Sequence, residues 1–82
     1  MGKSGFYIEL KTIADIRDFV SKVTKLEYEV DLEQNRYIID AKSIMGIFAL
    51  DLLAPIRVMC HTDDPSAFYE EIEKYRVADP EK

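Results

Sequence analysis

The stretch Glu27-Tyr28-Glu29-Val30-Asp31-Leu32-Glu33 alternates charged and apolar side chains without interruption. Successive strand residues point to opposite faces, so a period of two describes a strand with one wet face and one buried face. Glu33, Gln34 and Asn35 then supply turn-tolerant residues, and Arg36 to Asp40 carries the β-branched pair Ile38 and Ile39, which predicts a hairpin partner. Two strands joined by a tight turn run antiparallel, and a simple parallel sheet is excluded.

Around this hairpin the spacing predicts helices and two further strands. Ile13, Ile16, Val20 and Val23, widened by Phe19 and Leu26, recur at helical spacing and predict a helix over 13–26 with one apolar face on a core. Thr12 with Asp15 three positions later approximates a capping box at its start. Phe6 to Leu10 alternate weakly and read as a first strand. Ser43 is placed to cap a short helix running to about Leu50. After Pro55, Ile56, Val58 and Cys60 alternate with Arg57, Met59 and His61, the pattern of a last strand. Asp64 and Pro65 mark the N-cap and first position of a closing helix whose stripe is Phe68, Ile72 and Tyr75. The order is βαββαβα. It predicts an α+β fold with a four-stranded antiparallel sheet and three helices on one face.

Length and charge narrow the function. Eighty-two residues with 48% hydrophobic content make one domain over 1–82, with an ordered core from about Phe6 to Val77 and loosely held tails at Met1 to Gly5 and Asp79 to Lys82. The single Cys60 has no internal disulfide partner, which suits a reducing compartment. No apolar run has signal-peptide length or approaches the ~20 residues of a membrane span, so the expected location is the cytoplasm, with no membrane partner. A net charge of -5 and a pI near 4.7 argue against nucleic acid as a partner. Lys22 and Lys25 share their helix with Asp15 and Asp18, so no basic stripe forms.

Candidate chemical groups are few. Cys60 and His61 are adjacent on a strand and point to opposite faces, which excludes a joint metal site. His61 is expected on the open sheet face near Glu9 or Glu29. The "GKS" at Gly2 to Ser4 has neither the upstream glycine nor the preceding strand of a phosphate-binding loop. Glu70, Glu71 and Glu73 are expected to solvate the last helix. Neither a catalytic constellation nor a cofactor is expected.

The decapeptide Ala41-Lys42-Ser43-Ile44-Met45-Gly46-Ile47-Phe48-Ala49-Leu50 carries the one specific motif. Its "KSIMGIFAL" resembles the segment around the regulatory serine of HPr, the histidine-containing phosphocarrier of the bacterial sugar phosphotransferase system. That family has the same βαββαβα order, so the resemblance implies an HPr-like open-faced sandwich. It aligns Ser43 with the serine that HPr kinase phosphorylates, and Ile44, Met45 and Phe48 with an exposed apolar docking patch. The family's phosphocarrier histidine lies in a motif of the form G-[LI]-H-A-R-P-A. Here the chain reads Leu10-Lys11-Thr12-Ile13-Ala14-Asp15-Ile16, with Thr12 at the histidine's place, Ala14 at the arginine's and Asp15 at the proline's. The spacing from Thr12 to Ser43 equals the family's histidine-to-serine spacing. The resemblance therefore implies a divergent member without the carrier histidine, close in type to the family's catabolite-repression paralogue, which keeps an arginine where this chain has Ala14.

The resulting expectation is a non-catalytic regulatory or adaptor protein. It would be controlled by phosphorylation at Ser43 and bind a protein partner, such as HPr kinase or a transcriptional regulator, through Lys42, Ile44, Met45 and Phe48. Ile47 and Leu50, at i and i+3, are expected to face the core. Two alternatives stand beside this reading. One is a phosphocarrier that has moved its chemistry to His61 or Thr12; the other is an oligomerisation module using an open sheet edge. Arg36 and Asp40 on that edge argue for a monomer or a weak dimer.

Overall fold

The hairpin forms as the alternation requires. The computed structural model describes residues 5–80, so the Gly2 to Ser4 motif lies outside the described residues. Strand β1 is Phe6–Ile8, helix α1 Ile13–Thr24, strands β2 and β3 Val30–Gln34 and Tyr37–Asp40, helix α2 Ile44–Phe48, strand β4 Ile56–Cys60 and helix α3 Ser66–Glu71. A 3-10 turn at Glu73–Tyr75 then leads into strand β5, Arg76–Val77. The sheet is antiparallel, in the order β3-β2-β4-β1-β5.

Why the helices gather on one face follows from strand parity. Phe6, Ile8, Val30, Leu32, Ile56 and Val58 are buried and share one cluster with Ile16, Phe19 and Val23 of α1, Ile47 of α2 and Phe68 of α3. The alternate residues Tyr7, Asp31, Glu33, Arg57 and Met59 stay partly open to solvent. One sheet face is thus covered and the other is wet, with Arg57 Nη1 3.2 Å from Glu33 Oε1 and His61 Nε2 2.8 Å from Asp31 Oδ2.

Several boundaries differ from the sequence reading. The sheet has five strands, because Arg76 and Val77 pair with Ile8 and Tyr7 in a segment too short to show a period. Phe6 fixes this edge from within: its ring stacks on Tyr69 at 4.1 Å and carries the Arg76 guanidinium 4.7 Å from its centroid. Asp79 and Gly5, assigned to loose tails, are joined by a Gly5 N–H to Asp79 Oδ2 bond of 3.3 Å. Tyr28 precedes β2 instead of lying in it. Gln34 is a buried strand residue, and the turn narrows to Asn35 and Arg36, with Asn35 at φ 56 in the left-handed region that asparagine tolerates.

Helix ends shift for local reasons. Helix α1 stops at Thr24, leaving Leu26 packed on the core from beyond its end. Ile13, the first residue of the expected apolar stripe, is 59% exposed because it opens the helix ahead of the face that Ile16 begins. Pro65 occupies the cap position of α3 without a side-chain bond, and Asp64 instead accepts from the Ser66 N–H at 3.2 Å and from Ser66 Oγ at 2.7 Å. An aspartate that reaches two residues ahead makes a turn of its own, which delays the helix by one residue. Helix α3 ends at Glu71, and Ile72 and Tyr75 are buried beyond it.

Candidate functional site: the Ser43 helix

Ser43 begins α2 in an extended conformation, and its Oγ accepts the Gly46 N–H at 3.0 Å while its carbonyl accepts the Ile47 N–H at 3.0 Å. The approach to it is fixed by Asp40, whose Oδ1 takes the Lys42 N–H at 2.9 Å and whose carbonyl takes the Ser43 N–H at 2.9 Å. This turn carries the chain from β3 directly into the capped helix. Helix α2 packs against both α1 and β3. Gly46 permits the close approach to β3, since a Cβ there would meet Ile39 Cδ1 at 3.2 Å and Ser43 Oγ at 3.0 Å.

The helix is too short to bury every side. Ile47 is fully buried and Leu50 nearly so, which anchors one face. Ile44 and Phe48 remain partly open, and Met45 is 80% exposed. Large apolar side chains outside the decapeptide are exposed as well: Ile13 at the start of α1, Tyr37 and Ile38 on β3, and Leu53, 92% exposed in the turn after α2. Ile13 was hidden in the sequence by its match to a helical period, and Leu53 by the lack of any pattern around it. Large apolar side chains exposed together on one short element, as Ile44, Met45 and Phe48 are, mark interaction surfaces.

Lys42 is the cation next to Ser43. Its Nζ lies 3.8 Å from Glu29 Oε1, a long and solvated ion pair that contributes little and can be exchanged for another anion. Thr12 caps α1, with its Oγ1 accepting the Asp15 N–H at 3.0 Å, and Asp15 Oδ2 returns to the Lys11 N–H at 3.2 Å. Ala14 lies exposed in the first turn of the same helix.

His61 is exposed on the wet sheet face; its backbone N–H donates to the Glu29 carbonyl at 2.9 Å, while its ring meets Asp31. Glu9 instead faces Lys11, at 3.7 Å. Cys60, on the covered side of β4, lies beside the Tyr69 hydroxyl. Burial pushes its thiol up to about 11, against a smaller opposing effect of the Tyr69 hydrogen bond, so it is a poor nucleophile at neutral pH.

No group of three or more metal-ligating side chains occurs among the described residues. A cavity of about 720 Å³ opens at the other end of the molecule, lined in part by Glu33, Gln34, Asn35, Pro55 and Arg57. Glu33 and Arg57 at its wall are engaged with one another, and Gln34 is buried and bonded to backbone, so these groups serve the fold. No helix among the described residues is long and apolar enough to cross a membrane. Comparison of the chain with protein-family models, curated proteins and solved structures finds no match.

Proposed function

We propose that the chain is a divergent HPr-like regulatory or adaptor protein that docks a protein partner on α2 and is switched by phosphorylation of Ser43. One observation carries this reading: an N-capping serine is followed at once by the apolar side chains Ile44, Met45 and Phe48, which leave much of their surface in water. The α+β architecture and the run of elements from β1 to α3 support an HPr-like fold, with β5 as an addition at the edge. A phosphate on Ser43 Oγ adds negative charge next to Lys42 and at the rim of the apolar residues, where it changes what docks without entering the core.

The phosphocarrier alternative has less support. Asp15 brings a negative charge to the helix turn that Thr12 caps, and a phosphothreonine ester is a poor phosphoryl donor. His61 is held against Asp31 on the sheet face away from the helices.

The test is incubation with HPr kinase and ATP, followed by mapping of the phosphate by mass spectrometry. An acid-stable phosphate on Ser43, absent from Ser43→Ala, supports the reading. An acid-labile phosphate acquired from enzyme I and phosphoenolpyruvate would establish the carrier function instead.

A further inference from the structure

We propose that the free edge of β3 pairs with the same edge of a second copy of this chain, in the register that sets Ile38 opposite Ile38 of the second copy. Strand β3 ends the sheet on one side, and Tyr37 and Ile38 on it are 65% and 60% exposed. The opposite edge, β5, has only two residues.

Backbone parity restricts how two such edges can meet. The pairs of β2 with β3 are Gln34 with Tyr37, Glu33 with Ile38, Leu32 with Ile39 and Asp31 with Asp40. The Ala41 N–H bonds the Val30 carbonyl one pair further on. In an antiparallel ladder hydrogen-bonded and non-bonded pairs alternate, so Tyr37, Ile39 and Ala41 direct their amides toward β2 while Ile38 and Asp40 direct theirs outward. An antiparallel partner must therefore set outward residues against outward residues.

Charge selects among the registers that parity allows. With Ile38 across from itself, Asp40 at the end of β3 comes level with Arg36, the turn residue just before β3 in the second copy, and the two-fold axis repeats that pair. Moving the partner by two residues in one direction sets Ile38 against Asp40, and in the other sets Arg36 against Ile38. Arg36 has no ion pair among the described residues. Asp40 faces a like charge, Asp31, across the β2–β3 ladder; Asp31 is hydrogen-bonded to the His61 ring, whereas no lysine or arginine pairs with Asp40 among the described residues. Its Oδ1 holds the Lys42 N–H, which leaves Oδ2 for the incoming guanidinium. The charges that discourage addition of an arbitrary strand thus complement a second copy of this one. Tyr37 and Ile39 meet across the pair on the helix side, covering the exposed tyrosine. A four-residue edge is small for a stable interface, so the dimer is weak and reversible.

Sedimentation equilibrium over a concentration series tests the proposal, with melting curves confirming that each variant is folded. The wild type is expected to show a monomer–dimer equilibrium in the submillimolar range, weakened by salt. Arg36→Glu and Asp40→Arg are each expected to be monomeric at the same concentrations, because each sets like charges opposite one another. Mixed together they are expected to form a heterodimer. The carboxylate introduced at position 36 of one variant then meets the guanidinium introduced at position 40 of the other, and the native Asp40 of the first meets the native Arg36 of the second. Ile38→Pro, which removes only an outward N–H, is expected to be monomeric and serves where Asp40→Arg does not fold. A wild type that stays monomeric throughout overturns the proposal, as does a mixture that fails to associate. Association that survives Arg36→Glu and Ile38→Pro but is lost in Met45→Glu assigns the contact to α2 and overturns it equally.

Discussion

Asp18 shows how one carboxylate ties distant parts of the chain together. Its oxygens accept from Lys22 Nζ at 2.8 Å and from the Tyr75 hydroxyl at 2.6 Å, with Lys74 Nζ 3.5 Å away. The Lys22 and Tyr75 bonds, in that order, lower its pKa from 3.8 to about 2. A depressed carboxylate stabilises the fold above its unfolded pKa, and that contribution is lost as pH falls through the folded value. Thermal melting from neutral pH down to acid should therefore show a loss between about pH 4 and pH 2 that is smaller in Asp18→Asn. The four-residue spacing to Lys22 was legible in the sequence; the bond from Tyr75 was not, because it links residues 57 positions apart. Gln34 was equally hidden, since a glutamine beside a turn reads as solvent-exposed. It is buried, with Oε1 accepting the Asp51 N–H at 2.8 Å and Nε2 donating to the Asp51 carbonyl at 2.8 Å. Gln34→Leu strips both partners and should cost about 1–3 kcal/mol in urea denaturation.

At the scale of elements, patterns that repeat were readable and those that do not were missed. The alternation around Val30 and Leu32 located β2, and Ile16, Phe19 and Val23 located α1. A two-residue strand such as β5 has no period, and what holds it, the Phe6, Tyr69 and Arg76 side chains, is assembled only in three dimensions. The cap of α2 was legible because Ser43 stands directly before an apolar run. The i, i+3 spacing of Ile47 and Leu50 also showed the buried face; how far Ile44, Met45 and Phe48 each stay in water was settled by packing, with Met45 the most exposed of the three. Ser43→Ala removes the bond to the Gly46 N–H and should lower stability by about 0.5–2 kcal/mol, whereas Ser43→Asp retains a capping oxygen and should melt close to the wild type. Paired melting curves of the two variants check this difference.

For the molecule as a whole, the antiparallel α+β architecture followed from the tight hairpin and the helical stripes, while the fifth strand and the edge chemistry of β3 needed the register of the assembled sheet. The two faces of the molecule then differ in character. The helix side buries the core and leaves Ile44, Met45 and Phe48 partly in water directly after Ser43, while the open side carries the Glu33–Arg57 ion pair and the Asp31–His61 hydrogen bond. In the proposed function the apolar surface of α2 serves docking and contributes little to stability. The most direct measurement is the rate of Ser43 phosphorylation by HPr kinase in Met45→Glu beside its melting temperature. Met45 is mostly exposed and forfeits only a small part of the ~1.5–3 kcal/mol of full burial, so melting should change little while the rate falls by about tenfold or more. An unchanged rate, or a melting loss of the size expected for a core residue, would contradict the account.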